Sequence, residues 1–351
     1  MNNIERVRAQ LFDIADALIV TDEKTETYLT GFPASDSTVF VTRNSAVLFT
    51  DPRYIEAAEK EVCGCTAKLP EISVSADIKK IIADEGIKTV AFEDRKMTVS
   101  ALARFEHIFE GVKFVPAGGL IEDLCECKTE EELAAIRAAQ DITDRAFSEV
   151  LSVLNYNMTE QEVAAEIEYR MKRLGAQGPS FETIAVSGTQ SSRPHGVPRN
   201  VKLERGFLTM DFGCVLNGYC SDMTRTVVIG KADEEMKKVY NTVLRAQLAA
   251  IDFVSEGVLC SDADKVARDI IDENYKGYFS HSLGHGVGMY IHEEPRLSPK
   301  CNKILKVGNV VTVEPGIYIP GKYGVRIEDM MEITSSGAVD ITKSPKNLIE
   351  I

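Results

Sequence analysis

Three short words occur twice in this 351-residue chain, in the same order, and that repetition limits the fold more than any other feature. His195-Gly-Val197 returns as His285-Gly-Val287. Thr209-Met-Asp211-Phe-Gly213 returns as Thr312-Val-Glu314-Pro-Gly316, and Gly218-Tyr-Cys-Ser-Asp222 returns as Gly324-Val-Arg-Ile-Glu328. Each half therefore holds a His-Gly-Val, an acid in a Thr-x-acid-x-Gly strand, and a second acid four residues after a glycine. Helices are predicted in both halves as well. Capping boxes open two of them at Thr129-Glu-Glu-Glu132 and Thr159-Glu-Gln-Glu162, and two more start near Asp233 and at Ser261-Asp-Ala-Asp264. The expected fold is a duplicated α+β unit, two helices followed by antiparallel strands, with the halves facing each other across a pseudo-twofold.

The turns fix where the acids point. Asn217-Gly218 lies between two apolar-rich runs, the pattern of a two-residue type I′ turn. If Leu216 pairs with Tyr219, then Gly213 lies opposite Asp222, and Asp211 shares that face. The two acids become diagonal neighbours roughly 7–8 Å apart. Such a pair can share a cation or form a solvated polar face. In the second half a two-residue Pro320-Gly321 turn would put Glu314 and Glu328 on opposite faces, whereas a three-residue loop, Pro320-Gly321-Lys322, pairs them directly. An odd-length loop or a bulge is therefore expected there. Arg326 shares the face of Glu328 by period two.

Residues 1–122 read as a separate, smaller α/β domain, with strands at 46–50, 89–92 and 112–115. Its helices are predicted over 77–85, stopped by Gly86, and over 100–110, capped by Ser100 and stopped by Gly111. His107, beside Glu106 on the latter helix, reads as a surface residue. Residues 123–351 hold the duplicated unit. With 54 acidic against 40 basic residues the net charge is −14, which argues against nucleic acid and anionic membrane as partners. The N-terminus does not read as a signal peptide, and no stretch approaches a membrane span. Eight cysteines are too dilute for a disulfide framework, and Cys63-x-Cys65 and Cys125-x-Cys127 lack the spacing of zinc or redox motifs, so reduced thiols and a cytoplasmic location are expected.

Four convergent acids would repel one another unless a cation sits among them. One histidine with four carboxylates is a hard donor set suited to Mn²⁺, with Co²⁺, Fe²⁺ and Zn²⁺ as alternatives. Bridging carboxylates make two ions about 3.5–4 Å apart the economical arrangement. The run from His281 to Pro295 supplies the histidines, and glycines on either side of His285 let the backbone approach closely there.

At these residues the chain resembles the pita-bread metallopeptidases, in the branch of Xaa-Pro aminopeptidases (aminopeptidase P) and Xaa-Pro dipeptidases (prolidases). The resemblance is carried by Gly284-His-Gly-Val-Gly-Met-Tyr-Ile-His-Glu293, Val313-Glu-Pro-Gly-Ile-Tyr318, Arg326-Ile-Glu-Asp329, Asp211-Phe-Gly213, and the segments 181–188 and 194–198. Tyr28-Leu-Thr-Gly-Phe32 and Phe49-Thr-Asp-Pro-Arg-Tyr54 are similar to the creatinase-like N-terminal domain of that branch. The resemblance implies that Asp211, Asp222, His285, Glu314 and Glu328 hold two divalent ions, with Asp222 and Glu328 or their neighbours bridging. It also implies that Glu314 takes a proton from the attacking water, and that His195 and His292 orient the substrate and stabilise the tetrahedral intermediate. His281 and Arg326 match supporting positions near the substrate. The implied activity is hydrolysis of the bond between an N-terminal residue and proline in a peptide, by a homodimer. Competing readings are a prolidase restricted to Xaa-Pro dipeptides, a methionine aminopeptidase, a metal-free amidinohydrolase, and a non-catalytic binding module on the same fold.

Overall fold

The computed structural model describes residues 1–351, which form two compact units, Met1–Cys125 and Glu126–Ile351. The division falls within helix α6, close to the 122/123 boundary expected from sequence.

In the first unit, strands β1 (Ala17–Val20), β2 (Thr38–Thr42), β3 (Ala46–Phe49), β4 (Thr66–Lys68), β5 (Thr89–Phe92) and β6 (Lys113–Pro116) make one mixed sheet in the order β4-β3-β2-β1-β5-β6. Helices α1 (Asn3–Leu11), α2 (Glu23–Thr30), α3 (Ile55–Glu61), α4 (Val74–Glu85), α5 (Val99–Ile108) and α6 (Leu120–Glu126) alternate with the strands. Two helices begin earlier than their sequence suggested. The Ser73 and Thr98 hydroxyls accept from the Ala76 and Ala101 amides, so they cap α4 and α5 and leave Asp77 and Ser100 inside the first turns. His107 is exposed, as expected.

The second unit repeats one plan. Helices α7 (Glu130–Leu151) and α8 (Glu160–Arg173) start in the two expected capping boxes. They precede β7 (Gly178–Pro179), β8 (Ile184–Ser187), β9 (Gly206–Phe212), β10 (Cys214–Leu216), β11 (Tyr219–Cys220) and β12 (Met223–Ile229). Helices α9 (Glu234–Phe253) and α10 (Cys260–Tyr275) precede β13 (Gly284–Gly286), β14 (Glu293–Leu297), β15 (Val310–Val313), β16 (Gly316–Ile319), β17 (Tyr323–Arg326), β18 (Asp329–Thr334) and β19 (Gly337–Asp340). Asp233 caps α9 through the Met236 amide, whereas α10 starts at Cys260 with no side-chain cap. All strand pairs in this unit are antiparallel.

Each half buries its own core, because period two sorts the strand residues. Leu208, Met210 and Phe212 of β9 pack with Ala146, Phe147 and Val150 of α7 and Val163 and Ile167 of α8. Val311 and Val313 of β15 pack with Val239, Tyr240 and Val243 of α9 and Ala267 and Ile271 of α10. The opposite faces carry Thr209 and Asp211 in one half and Thr312 and Glu314 in the other, and those faces meet in the middle. No disulfide is present, and no helix is long and apolar enough to cross a membrane.

The first unit contains a buried acid pair that the sequence did not flag. Glu26, on α2, is fully buried and bonded to the Ser37 hydroxyl, with its other oxygen unpartnered. Burial, with Glu93 adding to it, pushes its carboxyl from 4.5 to about 8, and burial pushes Glu93 to about 7. Both folded-state values lie above the unfolded ones. The stabilisation is therefore complete below pH 4.5 and is lost as pH rises through about 7 and then about 8. The calorimetric transition of the first unit should lose about 2–4 kcal/mol between mildly acidic and mildly alkaline pH. Glu26→Gln should remove most of that slope; an unchanged slope in the variant would contradict the assignment.

Candidate metal centre

Both hairpins place their acids in the middle of the second unit. Leu216 pairs with Tyr219, and Asn217 and Gly218 both have positive φ (50° and 81°), as a type I′ turn requires. The same register continues into β9 and β12, where Asp211 lies opposite Thr224, so Asp211 and Asp222 project from one face. At Gly213, opposite Asp222, a Cβ would lie 1.8 Å from the Ser221 carbonyl oxygen, so this crossing point admits only glycine. In the second hairpin the loop is the three residues Pro320, Gly321 and Lys322, with Gly316 opposite Arg326 and Ile319 opposite Tyr323. Val313 opposite Asp329 continues that register on the other side, so it pairs Glu314 with Glu328.

The predicted residues line one cavity of about 570 Å³: Asp211, Asp222, His285, Glu314, Glu328, His195, His281, His292 and Arg326 all face it. Asp222, His285 and Glu328 are buried and each offers a ligand atom within 4.8 Å of the others. The His285 Nε2 lies 3.5 Å from Asp222 Oδ2 and 3.3 Å from Glu314 Oε1. His285 Nδ1 sits 3.1 Å from the Gly286 carbonyl, which can only accept, so the ring proton is on Nδ1 and the Nε2 lone pair faces the acids. His195 and His292 stand at the exposed rim, the latter with its ring 4.4 Å from that of His285.

Electrostatics at the acids are unbalanced. Burial, then Glu328, Asp211 and Glu314, hold the Asp222 carboxyl well above its ordinary value. Burial, then Glu314 and Asp211, do the same to Glu328, and burial raises Glu314 to about 8 against the pull of Arg326. Burial lowers His285 and His281 to about 3, so both rings are neutral at pH 7. Arg326 donates to Asp211 Oδ2 at 2.5 Å, but Asp211 Oδ1 is buried without a partner. Two guanidiniums, Arg326 and Arg296, line the cavity with these four carboxylates, and of the four only Asp211 is paired to an arginine, which leaves an oxygen-rich pocket. An unpartnered oxygen, an imidazole lone pair and raised carboxyls converge on one space, and this donor set fits divalent cations.

Several side chains that hold the site were not singled out from sequence. Thr224 donates to Glu328 Oε2 at 2.6 Å and Thr312 to Glu314 Oε1 at 3.1 Å, one threonine per half. The Tyr318 hydroxyl accepts from Arg326 Nη1 at 2.6 Å and therefore gives its own proton to His281 Nε2, 2.9 Å away. The other His281 nitrogen donates to the Ser282 carbonyl at 2.8 Å, so both ring nitrogens are committed within the protein. Period two counted from Glu314 and from Asp222 puts Tyr318 and Thr224 on the site face, a signal present in the sequence. Arg296 had no such signal: it lines the cavity beside His292, makes no ion pair, and reaches the site through the course of β14.

Comparison with known proteins decides the lineage. The model of metallopeptidase family M24 matches residues 134–335, and that of the creatinase/prolidase N-terminal domain matches residues 4–126. The chain belongs to metallopeptidase family M24. Its family relatives include the Xaa-Pro dipeptidase of Pyrococcus furiosus, 38% identical over 90% of each chain. Among solved structures of this architecture, a Xaa-Pro dipeptidase from Bacillus anthracis superposes with a TM-score of 0.95 at 38% identity, covering 99% of both chains. An X-Pro aminopeptidase from Thermotoga maritima does so with a TM-score of 0.93 at 34% identity, covering 98% of this chain and all of that one. The fold is thus the family's duplicated pita-bread domain behind a creatinase-type N-terminal domain.

The hydroxyl of Tyr318 should contribute to stability. Tyr318→Phe leaves His281 Nε2 without a donor and removes one bond from Arg326, so urea denaturation should report a loss of about 1–3 kcal/mol. A loss below a few tenths would show that the Tyr318 bonds are not made in solution.

Proposed function

We propose that this metallopeptidase is a two-metal exopeptidase that cleaves the bond between an N-terminal residue and proline. The observation that carries the reading is the convergence of Asp211, Asp222, His285, Glu314 and Glu328 on one cavity, with the carboxyls of Asp222 and Glu328 held well above their ordinary values by burial and by one another. These five residues hold two divalent ions. Mn²⁺ suits the hard donors best, and Co²⁺, Fe²⁺ and Zn²⁺ satisfy the same set. When bound, the ions supply Lewis acidity for the scissile carbonyl and lower the pKa of the attacking water.

The remaining work belongs to the protein's own groups. Glu314, on the cavity wall, accepts the proton of the attacking water and passes it to the leaving proline nitrogen. His292, its pKa lowered by burial and then by Arg296, stays neutral and presents an N–H donor to the developing oxyanion, with His195 across the rim. Arg326 and Tyr318 fix Asp211 and His281, so the polar wall is in place before substrate arrives. Phe181, Val197 and Ile291 give the cavity an apolar lining for the side chains of the substrate. The homodimer implied by the resemblance and the cytoplasmic location expected from charge and cysteine usage belong to the same proposal, and sedimentation of the purified chain tests the first.

Restriction to Xaa-Pro dipeptides is a second reading, favoured by Arg296. A guanidinium without an ion-pair partner in the cavity can bind the free carboxylate of a C-terminal proline, whereas a longer peptide presents a neutral amide there.

Release of the N-terminal residue from Xaa-Pro substrates with added Mn²⁺ should be abolished in Asp222→Ala and in chelator; full activity in either would refute the two-metal reading. Arg296→Ala should lower kcat/KM for a dipeptide such as Ala-Pro by about 10–100-fold while sparing Ala-Pro-Ala. Equal losses on both substrates would remove the dipeptide reading.

A further inference from the structure

The seam between the two halves of the second unit is held by one buried guanidinium that the proposed chemistry does not use. Arg225 lies on β12, three residues after Asp222, and is 1% exposed. All five of its N–H donors are satisfied. Nη1 donates to the Thr224 carbonyl at 2.9 Å and to the Glu328 carbonyl at 2.6 Å. Nη2 donates to Asp329 Oδ1 at 2.7 Å and to the Ser344 carbonyl at 2.8 Å, and Nε donates to the Pro345 carbonyl at 3.0 Å.

These partners come from three separate stretches. Thr224 belongs to the first half and carries the hydroxyl that holds Glu328 Oε2. Glu328 and Asp329 belong to the second half, at the start of β18, and the Glu328 amide donates to the same Thr224 carbonyl at 3.1 Å. Ser344 and Pro345 lie in the C-terminal segment beyond β19. Asp329, fully buried, receives Arg225 on one oxygen, and Lys346 at 3.1 Å and Gln247 on the other. The arrangement has no counterpart elsewhere in the duplication: Met331 stands where the second half would carry the arginine and Met223 where the first would carry the aspartate. A symmetric pair of hairpins is thus locked by an asymmetric bolt.

We infer that Arg225 is a positioning residue that sets the spacing of Asp222 and Glu328, and that the C-terminal segment anchors it directly through the Ser344 and Pro345 carbonyls and, from Lys346, through Asp329. The inference rests on the proposed role of those two acids as metal ligands. A guanidinium fixes a carbonyl on each strand in one plane, so a rotation of either half about the seam would break bonds in a group fully withdrawn from water. A site that shares ions between carboxylates of two halves has affinity only where that spacing is held.

The test uses the full-length chain and isothermal titration with Mn²⁺, together with the visible absorption of the Co²⁺-loaded protein. Arg225→Lys keeps the charge and loses the fork; Lys346→Met withdraws the anchor from one side of Asp329 and leaves Arg225 untouched. The expected result is two ions bound by the wild type, with at least one ion bound about 10–100-fold more weakly in Arg225→Lys. Its Co²⁺ spectrum should be altered, and the same changes should appear, smaller, in Lys346→Met. If Arg225→Lys does not fold, Lys346→Met alone decides. A folded variant of either kind with wild-type metal affinity and an unchanged Co²⁺ spectrum overturns the inference. A wild type that binds no ion overturns the metal reading itself, which is a distinguishable outcome.

Discussion

Four carboxylates cannot share a buried cavity without a reason, and the second unit is arranged around that conflict. Asp222 and Glu328 are nearly inaccessible, each is pushed towards its protonated form first by burial and then by the others, and the guanidinium bonded within the site, that of Arg326, pairs with Asp211. Groups in that position neutralise by taking up protons or by taking up cations. The neutral tautomer of His285, with its lone pair aimed at the acids, belongs to the second solution. Thr224 and Thr312 orient the carboxylates and Tyr318 orients His281, so the donors hold their directions before any ion arrives.

The duplicated architecture is what makes such a concentration of charge foldable. Each half buries its own apolar core between a helix pair and one face of its strands, leaving the opposite faces to carry polar groups. Those faces meet, and the acids meet with them. Arg225 joins the faces through backbone carbonyls on both sides and through the buried Asp329 carboxylate.

How much of this was legible in the chain follows from which groups act locally. The Asn217-Gly218 turn, the odd-length loop after Ile319 and the capping boxes at Thr129 and Thr159 were all read correctly, because each depends on residues a few positions apart. Helix starts at Ser73 and Thr98 were placed too late, since several polar residues near each start compete for the cap. Tyr318 and Thr224 could have been found by counting in twos from Glu314 and Asp222. Arg296, Arg225 and the pair Glu26 and Glu93 could not, because burial and the approach of remote segments give those groups their importance.

By itself, then, the sequence determined the hairpin registers, the internal repeat and the family, and with these the candidate residues for a metal site. Local hydrogen bonding and strand periodicity are enough for that. Only the tertiary structure decided that the two faces close on one cavity, that His281 has both nitrogens committed while His285 keeps a free lone pair, and that an arginine and the C-terminal segment set the seam. Those outcomes depend on which groups come within hydrogen-bonding distance once the chain is folded, more than a hundred residues apart for Arg225 and the carbonyls of Glu328 and Pro345, and short-range pattern carries no record of such distances.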